Sequence, residues 1–110
     1  MKNGDIEKSI FVDYFGDSPH IRVLDFLIEG KDFDYSMTEV ARKAHVGWSA
    51  FTGIWVHLIE KKIIVPTRTI GNAKLFKLNK ANPAVKKIIQ IDAELSKLAL
   101  DHATKISVVH

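Results

Sequence analysis

The sequence predicts a mainly α chain with one small β-hairpin (α+β), and three observations carry that prediction. Residues 36–62 (SMTEVARKAHVGWSAFTGIWVHLIEKK) hold two stretches of helical apolar period, broken only by His45-Val46-Gly47. The period then changes to two over residues 64–70 and 73–78, with the turn pair Gly71-Asn72 between them. Beyond these, Asn82-Pro83 opens a long run whose apolar residues recur three, four or seven apart. Two helices joined by a tight turn, a hairpin and a long last helix follow directly.

Ile6, Ile10, Phe11, Tyr14 and Phe15 recur at near-helical spacing, which predicts a short helix from near Asp5 that Gly16 ends. So many large apolar side chains should pack on the body or on a partner chain. Ser18-Pro19, a capping hydroxyl before a first-turn proline, starts a second helix over residues 19–29. It should bury Ile21, Leu24, Leu27 and Ile28, with Val23 and Phe26 beside them, and stop at Gly30. Residues 31–35 read as a linker whose Phe33 and Tyr35 tuck against the core. Ser36 and Glu39 form a capping box, so a third helix begins at Met37. Val40, Ala41 and Ala44 share one side of it, and Ala41 is small where the next helix crosses. His45 holds a turn position where glycine is common, so it should tolerate that backbone geometry. On the fourth helix Phe51, Ile54 and Leu58 point inward, Trp48 lies at the boundary, and Trp55 should meet the hairpin or the last helix.

Gly71 supplies the positive φ of the hairpin turn. Counting outward from it, Val65, Thr67, Thr69, Lys74, Phe76 and Leu78 fall on one face, apolar at the base and basic at the tip. Pro66 restricts its strand to an edge or a bulge. The last helix should run from Pro83 to about Ala103 with a stripe of Val85, Ile88, Ile89, Asp92, Leu95, Ala99 and His102. Ile91, Leu98 and Leu100 widen that stripe beyond what a small core can receive, so pairing with a second copy is expected. Val85, Ile88, Ile89, Leu95, Leu98 and Ala99 are its expected contacts, and residues 106–110 a frayed tail or a terminal pairing segment. The expected organisation is an arm over residues 1–17, a helix-and-hairpin domain over 18–81 and a dimerisation helix with its tail over 82–110.

A chain of 110 residues has room for one core. No apolar run spans a bilayer, MKNGDIEKS lacks the core of a signal peptide, and zero cysteines exclude disulfides and thiolate metal sites. A cytoplasmic protein without membrane contact is expected. The net charge of +3 is unevenly spread. Residues 1–35 carry four basic and eight acidic side chains; residues 36–80 carry eight basic and two acidic. Positive charge therefore collects on the paired helices and hairpin, as a phosphate-binding surface requires. The five histidines show no ligand spacing, and no H-E-x-x-H, phosphate-cradling glycine loop or G-x-S-x-G elbow is present. Asp32 and Asp34 flank Phe33 in a loop, where paired carboxylates are usually solvated. No enzyme activity, metal or cofactor is expected.

The spacing of Val40, Ala41, Ala44, Val46, Phe51 and Ile54 resembles the helix-turn-helix of DNA-binding proteins. More broadly, FGDSPHIRVLDFLIEGKDFDYSMTEVARKA, GIWVHLIEKKII and TRTIGNAKLFKLNKANPAVKKI resemble a family of small archaeal winged helix-turn-helix proteins, transcriptional regulators of the MarR/ArsR-like kind. The resemblance implies a three-helix core with a β-hairpin wing, a homodimer, and double-stranded DNA as partner. DNA-contact candidates are Ser36, Thr38, Trp48, Ser49, Thr52, Val56 and His57 on the motif, Lys61 and Lys62 at its end, and Arg68, Asn72 and Lys74 on the wing. The chain departs from the family on the outer face of the second motif helix, where no lysine or arginine occurs between Lys43 and Lys61. Guanine readout needs Arg or Lys and adenine readout Asn or Gln, so weak base discrimination and phosphate-dominated affinity are expected. The alternative is a protein-interaction module that uses the apolar outer face around Trp48 and Val56. Nothing in the sequence marks a pocket for a small-molecule effector.

Overall fold

The computed structural model describes residues 8–109, with side chains as far as Asp101. Helix α1, Ile10–Phe15, begins where the Ser9 hydroxyl accepts the Val12 N–H (3.1 Å) and ends at Gly16. It does not start near Asp5, because Ser9 is extended; residues 1–7, with Ile6, lie outside the described residues. Helix α2, Pro19–Glu29, is capped by Ser18, whose hydroxyl accepts the Ile21 N–H at 3.2 Å. Gly30 ends it at φ −100, which any residue adopts. Glycine leaves room for a close approach instead: a Cβ there would force the Tyr35 phenol to shift.

The expected linker contributes a strand. β1, Tyr35–Ser36, pairs with the hairpin, Tyr35 opposite Phe76 and Ser36 opposite Leu75. Two residues carry no readable period, so this strand has no sequence signature. Tyr35 packs on Phe26 with ring centroids 4.8 Å apart, but Phe33 does not tuck in and is 65% exposed.

Helix α3, Met37–Lys43, has the full capping box: the Ser36 hydroxyl accepts the Glu39 N–H (3.2 Å) and the Glu39 carboxylate accepts the Ser36 N–H (3.1 Å). Helix α4, Trp48–Glu60, follows after a turn in which His45 takes φ 58. Arg22 of α2 fastens that turn. Its guanidinium donates to the carbonyls of Ala44 and His45, both at 3.0 Å, and pairs with Asp17 at 2.9 Å. The carbonyls left over at the end of α3 are thereby satisfied from a neighbouring helix.

Strands β2 (Ile64–Ile70) and β3 (Ala73–Leu78) close at Gly71, φ +60, and the sheet order is β1-β3-β2. The proline strand is an edge, and a register shift falls between Pro66 and Arg68. That bulge corrects the expected face. Thr69 still lies opposite Lys74, but beyond the extra residue Pro66 meets Phe76 and Ile64 meets Leu78. Ile64 and Pro66 thus replace Val65 and Thr67, because one inserted residue inverts the alternation.

Helix α5, Pro83–Val109, starts where the Asn82 side-chain oxygen accepts the Ala84 N–H at 2.9 Å. It extends past the expected end near Ala103, taking residues 106–109 into the helix, while His110 lies outside the described residues. A single hydrophobic cluster draws on α1 through α5 and the sheet, including Phe11, Val23, Leu27, Val40, Phe51, Trp55, Leu58, Ile64, Phe76, Val85 and Leu95. Two expected dimer contacts are therefore core residues: Val85 and Leu95 are buried within their own chain. Ile88 and Ile89 are half-buried against the same cluster, and Ala99 is half-buried too. The core receives more of α5 than expected because α1 folds against it and supplies Phe11. Leu98 remains exposed, as does Ile91. One polar member of the stripe, Asp92, adds negative charge near Asp25 and Glu29 of α2, whose carboxyls are raised chiefly by burial.

Candidate nucleic-acid interface

A column of aromatic rings runs from the surface of α4 to the base of the hairpin. Trp48 stacks on Phe51 (5.7 Å, 23°), Phe51 on Trp55 (5.2 Å, 25°), and Trp55 meets Phe76 edge-on at 5.4 Å. Phe51 and Trp55 are buried, so packing fixes the column, while Trp48 at its outer end is 53% exposed. Helical phase alone left Trp48 at the boundary; the structure places it outside. Trp55 packs against the hairpin, and among the described residues its indole N–H has no hydrogen-bond partner.

Beside Trp48 lies a cleft of about 630 Å³ between the start of α3, the start of α4 and the hairpin tip. It is lined by Ser36, Met37, Thr38, Trp48, Ile70, Asn72, Ala73, Lys74 and Phe76. Five of the sequence-derived candidates (Ser36, Thr38, Trp48, Asn72, Lys74) are thus brought to one place. The Lys74 ammonium lies 5.9 Å from the Phe76 ring centroid, on the hairpin face that also carries Leu78. Ser36 is already engaged as the α3 cap. The cap of α4 is Gly47, which offers no side-chain acceptor, so the first amides of that helix stay open.

Along α4, Ser49, Val56 and His57 are exposed and Thr52 is half-buried with its hydroxyl donating to the Ser49 carbonyl at 3.1 Å. The His57 ring meets His20 of α2 edge-on at 5.7 Å. Gly53 is exposed, and a Cβ added there would meet nothing within 4 Å. The fold therefore has no need of glycine at this position. Gly53→Ala should stabilise the chain by about 0.5–1 kcal/mol, a rise of a few degrees in a thermal melt. An unchanged or lowered Tm would contradict the open surroundings of this residue.

The remaining candidates lie elsewhere. Lys61 and Lys62 follow the far end of the 13-residue α4, about 20 Å from its start. Their carbonyls accept from Asn82, and that of Lys62 also from Asn79, which ties this exposed backbone turn to the start of α5. Arg68 pairs with Leu75 across the sheet, on the face opposite Lys74 and Phe76. There its guanidinium grips Asp34 with two contacts, Nε to Oδ2 at 2.9 Å and Nη2 to Oδ1 at 3.1 Å. Thr67, the bulge residue, donates to the same carboxylate at 2.6 Å. Lys80 pairs with Asp32 at 2.6 Å. The two loop carboxylates are therefore not simply solvated: each neutralises a cation of the basic segment.

The Arg68 guanidinium and the Thr67 hydroxyl hold the Asp34 carboxyl down from 3.8 to about 2. A depressed folded value means the pair stabilises the fold above the unfolded value of 3.8 and is lost as pH falls through about 2. Asp34→Asn should lower stability at neutral pH and flatten acid unfolding across that window, leaving the slope of the neutral-to-basic limb unchanged. Equal acid profiles for the two proteins would contradict the pair. No helix of the described residues is long and apolar enough to cross a membrane, and no group of three or more metal-ligating side chains occurs among them.

No protein-family model matches the chain, and no curated protein matches it either. Solved structures of like fold include a single-site mutant of Lactococcus lactis ZitR in complex with DNA, with TM-score 0.58 at 14% identity over 81% of this chain and 60% of that one. MepR, a transcription regulator of the Staphylococcus aureus multidrug efflux pump MepA, gives 0.61 at 10% identity over 86% and 68%. Sso10a-2, a DNA-binding protein from Sulfolobus solfataricus, gives 0.50 at 10% identity over 80% and 92%. The chain spans 60% of the ZitR chain. At these identities the likeness establishes architecture: this chain has the winged-helix fold, with α3 and α4 as the helix-turn-helix and β2–β3 as the wing.

Proposed function

We propose that the chain is a double-stranded DNA-binding protein, acting as a homodimeric transcriptional regulator and not as an enzyme. The observation that carries this reading is the cleft in which the wing-tip cation Lys74 and the exposed start of α4 face the same space. Its fold, like that of a ZitR mutant in complex with DNA, supports it. Lys74 meets phosphate at the wing, Lys61 and Lys62 meet it at the other end of α4, and Ser49, Thr52 and Val56 offer at most single contacts to bases. Arg68 contributes only when Asp34 releases it. Homodimer contact falls to the exposed Ile91 and Leu98, seven residues apart on α5.

Binding of labelled duplexes tests this directly. Lys74→Ala should weaken every sequence similarly and lower the salt slope by about 1 per copy, hence by about 2 for the homodimer. Asp34→Asn should act in the opposite direction, raising affinity and steepening the slope, because it frees the Arg68 guanidinium. A Lys74→Ala protein that binds as the native does would remove the wing from the interface.

One observation favours a second reading. Trp48 and Val56, both 53% exposed, lie with Ile59 and Ile70 among the exposed large apolar residues around the motif. That surface would suit a protein partner, and failure to bind duplex at low salt would support it.

A further inference from the structure

Resting on the nucleic-acid reading above, the geometry points to Trp48 as a stacking platform for an unstacked nucleobase, held in the cleft between α4 and the wing tip. The Trp48 ring plane is set from behind by Phe51, which is buried, so an indole face is presented to solvent in one orientation. A rigid, exposed aromatic face is what a base stacks on, and every base has one to offer. Lys74 and Asn72 of the wing tip line the same cleft, supplying a cation and an amide for the phosphate next to a stacked base, and Thr38 lines it from α3. The cleft volume of about 630 Å³ accommodates a nucleotide.

The outer face of α4 offers no Arg, Lys, Asn or Gln with which to read base edges. The π-face of a base is the part this surface can bind. In an intact duplex that face is covered by neighbouring pairs, so the target is a base already out of the stack, as in a distorted or partly melted duplex. A base that is unpaired beforehand costs least to extrude, which gives the preference its direction.

The test uses two labelled probes, a fully paired 20-base-pair duplex and the same duplex carrying one unpaired thymine at its centre. Full-length protein should bind the second more tightly by about 5- to 100-fold. Trp48→Ala should bring that ratio to near one, and Trp48→Phe, which keeps a ring, should restore much of it. Lys74→Ala should weaken both probes while leaving the ratio in place. A native ratio near one, or a ratio kept by Trp48→Ala, overturns the proposal. Binding of neither probe overturns the DNA reading, and this inference with it.

Discussion

Leu95→Glu is expected to unfold the chain, while Leu98→Glu, three residues along the same helix, should leave it folded. Leu95 is buried in the cluster formed with α1, α2 and the helix-turn-helix. Truncating a buried leucine costs about 2–5 kcal/mol, and a carboxylate in its place adds the penalty of a buried, unpaired charge. Domains of this size have about 5–15 kcal/mol in total, so little or none would remain. Leu98 is 48% exposed and loses little in the isolated chain. If two copies meet through Ile91 and Leu98, Leu98→Glu should give a native melt with the sedimentation of a monomer. A folded, dimeric Leu95→Glu protein would show that α5 is packed differently from the arrangement described.

That pair of residues also marks where sequence patterning stops being informative. A period of three and four states that Val85, Ile88, Ile89, Leu95 and Leu98 lie on the apolar side of a helix, but not which neighbour covers each. The decision depends on α1, whose return onto α5 is a tertiary event. Three helix starts were legible because their signals are local: Ser18-Pro19, the Ser36–Glu39 capping box and Asn82-Pro83 each act within one turn, whereas the Ser9 cap of α1 was missed. The hairpin was legible for the same reason, through Gly71. Its faces were not, since a single bulge at Thr67 inverts the alternation, and Pro66 signalled only that some irregularity was allowed. At the candidate interface, composition showed that basic residues collect over residues 36–80. It could not show that Asp34 reaches across the central strand to occupy Arg68, or that Asp32 occupies Lys80. Those contacts join residues more than thirty positions apart, and no spacing rule connects them.

The second large effect concerns salt. Among the cations of residues 36–80, Arg68 and Lys80 have carboxylate partners, whereas Lys61, Lys62 and Lys74 have no ion-pair partner among the described residues. With three or four phosphates neutralised per copy, a dimer would release counterions from about six to eight sites. Affinity should then fall by about 10³–10⁴ between 50 and 200 mM salt, because each neutralised phosphate contributes close to one power of the salt concentration. Little of that loss should depend on sequence. The outer face of α4 lacks bidentate base readers, each of which would add about 1–3 kcal/mol of discrimination.

The most direct measurement is equilibrium binding of the full-length protein to a labelled duplex across that salt range, repeated with an unrelated sequence. The account predicts tight binding at low salt, a steep logarithmic slope, and closely similar slopes and affinities for both duplexes. Absence of binding at 50 mM salt, or a flat slope with strong preference for one sequence, would contradict it.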